Sequence, residues 1–68
     1  MEINKSNDYI KKIQSERIRL LMKKCNVTGR KIAETLNYSP QHISYIINGR
    51  RTLTIELAIA LADFFQSA

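Results

Sequence analysis

The sequence predicts an all-α domain of four helices, and three observations carry that prediction. Glycine and proline are scarce, at two and one among 68 residues. Apolar residues recur at helical intervals over most of the chain. Short apolar stretches are punctuated by residues that start or stop helices. With 44% hydrophobic and 25% charged residues the composition is that of a folded protein, which excludes disorder. The length lies near the lower limit for a self-sufficient core, so a single domain over 1–68 is expected.

Residues 1–7 are polar and read as a flexible lead, with Ser6, Asn7 and Asp8 offering N-caps. The first helix follows, its stripe formed by Ile10, Ile13, Ile18, Leu21, Met22 and Cys25. One long helix and two pieces broken near Ser15 both fit. Asn26 ends it, because Asn tolerates left-handed geometry. Thr28 caps the second helix, "GRKIAETLN", whose inward positions are Ile32, Ala33 and Leu36. Asn37 closes it. Ser39-Pro40 opens the third helix, since proline at the first helical position has no N–H to leave unpaired. Gly49 stops it. Thr52 or Thr54 caps the fourth, "IELAIALADFF".

Function begins with charge. Eleven Lys and Arg against six Asp and Glu give +5, which favours a polyanionic partner. No apolar run approaches the ~18 residues that span a bilayer. The start "MEINKSNDYIKK" lacks the apolar centre of a secretory signal, so a cytoplasmic protein is expected. Cys25 stands alone and reads as a small core residue. His42 has no Ser or Cys nucleophile arranged with it. No carboxylate pair, metal-ligand spacing or phosphate loop is present, so no catalytic residue, metal or cofactor is expected.

The third helix carries the sharper signal. At about 100° per residue, Ile43, Ile46 and Ile47 fall on one face and point inward. Gln41, Ser44, Tyr45 and Asn48 occupy the other. A merely solvated face usually carries Glu, Lys and Asp. This one is uncharged, rich in donors and acceptors, and followed by Arg50-Arg51. Such a face suits base edges between phosphates, with Gln able to pair bidentately with adenine.

These residues resemble the lambda-repressor/Cro-type (XRE-like) helix-turn-helix family. The likeness runs from about Glu16 to Phe64 and centres on "TGRKIAETLNYSPQHISYIINGRR", with the helix-turn-helix over about 28–48. Ile32-Ala33 matches the family's bulky-then-Ala pair, Asn37 stands where a turn Gly is usual, and "INGRR" matches its Asn-Gly-basic stop. The resemblance implies a compact four-helix domain, with a fifth helix as the family's normal addition. It implies a recognition helix starting at Pro40 and lying in the DNA major groove. Base contacts then fall to Gln41, Tyr45 and Ser44, with Pro40 making apolar contact only. Phosphate contacts fall to Thr28, Gly29, Arg30, His42, Asn48, Arg50 and Arg51. Gly29 replaces a usual Gln, which passes its role to the backbone N–H or to Arg30. Met22 and Ile47 replace a usual ion pair between the first and third helices.

The fourth helix is apolar over well over half its circumference. A homodimer interface through Leu57, Leu61, Phe64 and Phe65 is the preferred reading, and a longer repressor covering that surface is the other. The function expected is a phage- or plasmid-type repressor that binds a pseudo-palindromic operator in double-stranded DNA. Two alternatives stay open. "NGRRTLTIELAIALADFF" is similar to the end of addiction-module antitoxins, which implies a toxin partner. A restriction-modification controller protein is the other. A membrane partner ranks last, because the basic residues are scattered over several helices.

Overall fold

The computed structural model describes the backbone of residues 2–67 and the side chains of 7–67. The described residues form four helices joined by short connections: α1 (Glu2–Cys25), α2 (Gly29–Leu36), α3 (Pro40–Ile47) and α4 (Ile55–Ser67). No strand occurs among them.

α1 starts at Glu2, ahead of the caps expected at Ser6, Asn7 or Asp8, and passes Ser15 without a break. Residues 2–7, expected to precede the helix, are part of it; Met1 lies outside the described residues. The first glycine comes at position 29 and the only proline at 40, so no backbone breaker interrupts this stretch. At about 1.5 Å per residue α1 is about 36 Å long, close to the 38 Å length of the whole molecule. The helices packed on it have 8, 8 and 13 residues. They reach only part of α1, burying Ser15 and Ile18. Ile10 and Leu21 therefore stay 43% and 39% exposed, although both belong to the apolar stripe expected for this helix. Cys25 and Ile13 are half-buried.

Each helix stop before α4 is written locally. Asn26 and Asn37 take φ values of 58° and 63°, and Gly49 takes 74°. Behind each, the next N–H reaches back five residues: Val27 to the Met22 carbonyl, Tyr38 to Ala33 and Arg50 to Tyr45, at 3.0, 2.9 and 2.8 Å. Left-handed caps of this kind satisfy carbonyls that the helix leaves unpaired. The starts are equally local. Thr28, Ser39 and Thr54 side chains accept from the N–H groups of Lys31, His42 and Leu57, each at 3.1 Å. Thr54, and not Thr52, is thus the cap of α4.

The core draws on every helix: Ile18 from α1, Ile32 and Ala33 from α2, Ile43 and Ile46 from α3, Leu57 and Leu61 from α4. Met22, Leu36, Tyr38, Ile47, Leu53, Phe64 and Phe65 surround it, half-buried. The assignment of Leu57 and Leu61 to a dimer interface is corrected by their burial, at 0% and 6% exposure. Four residues apart, they share one side of α4 and close the core of their own chain. The large exposed apolar side chains of α4 are Ile55 and Ile59, at 82% and 60%.

The α3–α4 connection is fastened to α1. The Leu53 N–H donates to Gln14 Oε1 at 3.0 Å. A Cβ on Gly49 would lie 3.4 Å from Ser15 Oγ and 3.7 Å from the Lys11 carbonyl. Those are ordinary contact distances, so it is the φ of 74° and not a shortage of room that calls for glycine at 49, and the Ser15 hydroxyl donates within α1 to the Lys12 carbonyl at 3.0 Å.

Candidate nucleic-acid interface

α2 and α3 are joined by Asn37, Tyr38 and Ser39, and both sides of that turn are fixed. Asn37 turns left-handed at the end of α2, while Ser39 and Pro40 start α3. Ile43 and Ile46, buried to 2% and 1% exposure, set the roll of α3 about its axis. That roll leaves Pro40, Gln41, Ser44 and Asn48 exposed and Tyr45 half-exposed. Ile47 is half-buried beside the buried pair.

The polar groups of this face are already engaged with one another. Gln41 Nε2 donates to the Tyr45 hydroxyl at 2.9 Å, and Asn48 Nδ2 donates to Ser44 Oγ at 3.2 Å. Both pairs are four residues apart, the spacing at which helical side chains meet. His42 is drawn aside, its ring stacked on Tyr38 with centroids 5.4 Å apart. The Arg51 guanidinium carbon sits 5.8 Å from the centre of the Tyr45 ring, within cation–π range. Ser39, Gln41, His42, Tyr45 and Arg51 line a shallow polar depression of about 240 Å³.

The expected phosphate-contacting residues are placed more widely. Thr28 and Gly29 form the start of α2, with the Thr28 hydroxyl used as its cap. Arg30 lies 4.0 Å from Glu34, both largely exposed, a loose pair of small energetic weight. Arg50 and Arg51 are exposed beyond the end of α3. Asn48 is the least free of the group, because its Oδ1 accepts from Arg19 Nη2 at 2.9 Å.

Arg19 was not legible as a functional residue. It stands on α1, and its Nε also donates to the Ile47 carbonyl at 3.0 Å. One side chain therefore grips the last turn of α3 twice. Its signal, a cation 28 residues upstream of the group it meets, has no local pattern. Met22 and Ile47, read as an apolar replacement for an ion pair, both approach Gly29. A Cβ built there would lie 2.9 Å from Ile47 Cδ1 and 4.0 Å from Met22 Cε. The missing side chain at 29 is the room that Ile47 fills.

Among the described residues no group of three or more His, Cys, Asp and Glu is placed to hold a metal ion. No helix among them is long and apolar enough to cross a membrane. Every buried side-chain nitrogen and oxygen described has a hydrogen-bond partner. The family model described as helix-turn-helix matches residues 18–67. No curated protein and no solved structure matches the chain.

Proposed function

The chain belongs to the Cro/C1-type (XRE-like) helix-turn-helix family of DNA-binding regulators, and on that premise we propose that it is a repressor binding a pseudo-palindromic operator as a homodimer. The observation that carries this reading is the outward face of α3. It holds Gln41, Ser44, Tyr45 and Asn48, uncharged and hydrogen-bonding, with Arg50 and Arg51 directly after it. Base edges in a major groove offer donors and acceptors to such a face, while the flanking phosphates attract the cations.

In this reading Gln41, Ser44 and Tyr45 meet base edges and Pro40 adds apolar contact. Thr28, the Gly29 N–H, Arg30, His42, Asn48, Arg50 and Arg51 hold the phosphates. Cations then set affinity, and the α3 face sets sequence. The dimer rests on a separate observation, the exposure of Ile55 and Ile59 on α4. A two-fold dimer carries two recognition helices at half-sites about 34–36 Å apart.

Gln41→Ala is the test. Against duplexes selected by the wild-type protein from a random pool, it is expected to cost about 1–3 kcal/mol and to relax discrimination at one base position. Equal weakening on every sequence would make Gln41 a positioning residue and refute its role as reader.

A further inference from the structure

The bond between Gln41 and Tyr45 bears on which base Gln41 reads. A glutamine amide nitrogen carries two hydrogens, and its oxygen only accepts. Left free, the two N–H groups suit the N7 and O6 acceptors of guanine. One N–H beside the acceptor oxygen suits the N7 acceptor and N6 donor of adenine. In the free protein, one of the two hydrogens is already given to the Tyr45 hydroxyl at 2.9 Å. What remains is one donor and one acceptor. The Tyr45 ring is itself braced, with Arg51 at 5.8 Å on its face, and its place on α3 is set by buried Ile43 and Ile46.

We infer that Tyr45 is a specificity-determining residue that acts through Gln41: by occupying one amide hydrogen, its hydroxyl denies Gln41 the two-donor mode and commits it to adenine over guanine. The inference rests on the DNA-reading role proposed for α3 and names the base read there. Tyr45 is in this respect a positioning residue, whatever its ring touches. Arg51 serves the same end, since a cation over the ring limits the ring's swing.

The experiment uses duplexes recovered from a random pool by the wild-type protein, each A·T pair being exchanged in turn for G·C. Wild type is expected to favour adenine at one position by on the order of tenfold or more. Tyr45→Phe keeps the ring and removes the acceptor. It is expected to cut that preference to about threefold or less, mainly by tighter binding to the guanine duplex, with the salt dependence unchanged. Gln41→Ala and the double variant Gln41→Ala/Tyr45→Phe should then discriminate equally, as two changes acting through one contact do. The inference is overturned if Tyr45→Phe retains the full preference. It is also overturned if that variant weakens all duplexes alike, or if its effect persists without Gln41, which would make the hydroxyl itself the reader. Should wild type select no duplex at all, the DNA-reading role of α3 falls first and this inference with it.

Discussion

α3 and α4 follow one another in the chain and use their outer surfaces in opposite ways. α3 turns two isoleucines into the core and presents amide, hydroxyl and phenol groups outside, paired as Gln41–Tyr45 and Ser44–Asn48. α4 turns Leu57 and Leu61 inward and presents Ile55 and Ile59 outside. The charges divide in the same sense. All eleven Lys and Arg precede Thr52, and only Glu56 and Asp63 follow it. A surface of directional groups beside cations is fitted to a polyanion with a patterned edge. An apolar surface with only two charged side chains has little charge to desolvate and gains by being covered. The contrast teaches that burial alone does not distinguish the two helices, whereas the chemistry left outside does.

The largest expected effect separates the two sides of α4. Leu57→Ala is expected to lower unfolding free energy by about 2–5 kcal/mol, as truncation of a fully buried leucine does. Ile59→Asp should change the stability of the single chain by about 0.5 kcal/mol or less, yet shift sedimentation from dimer to monomer. Urea unfolding and sedimentation, run on both variants, would break the comparison if Ile59→Asp left the subunit count unchanged.

A smaller effect concerns how firmly α3 is held. Arg19→Met keeps the aliphatic stem and removes the bonds to the Ile47 carbonyl and Asn48. Because the guanidinium is exposed, about 1 kcal/mol of stability is expected to go, measured by urea unfolding. Faster amide exchange confined to the last turn of α3 would show where the grip acts. Exchange unchanged there would mean that buried isoleucines alone hold the helix.

The smallest effects test the cations beyond α3. Arg50→Ala and Arg51→Ala should each reduce the slope of log K against log salt by about one, read from binding isotherms at several salt concentrations. An unchanged slope would show that the arginine concerned misses the phosphates. For Arg51, a change in base discrimination accompanying the salt effect would join it to Tyr45.

How much of this was legible in the sequence follows the range of the interaction. Caps and stops act within a few residues, so Thr28, Ser39, Asn26, Asn37 and Gly49 could be read directly and stand where expected. The outward face of α3 was legible because Ile43 and Ile46 are spaced so that only one roll buries both. α4 offered no such choice. With apolar residues nearly all round, periodicity could not say that Leu57 and Leu61 turn inward and Ile55 and Ile59 out. Only packing against the other three helices decides that. The start of α1 at Glu2 is not written in the sequence for a related reason, since polar caps at Ser6, Asn7 and Asp8 are permissive and nothing there compels a break. Arg19 on α3, Gln14 on Leu53 and Ile47 in the space beside Gly29 join residues 18 or more positions apart. They belong to the tertiary fold and left no local trace.

The left-handed stops at Asn26, Asn37 and Gly49 have a kinetic consequence. Each is encoded by one residue and closed by bonds reaching three to five positions back, so helix boundaries need no tertiary contact to be drawn. The search that remains is the docking of short, pre-bounded rods along α1, a problem of low contact order. Chains of that kind fold in microseconds to milliseconds, so a freshly synthesised copy exposes its core side chains, Ile32, Ile43, Ile46, Leu57 and Leu61, to wrong partners only briefly.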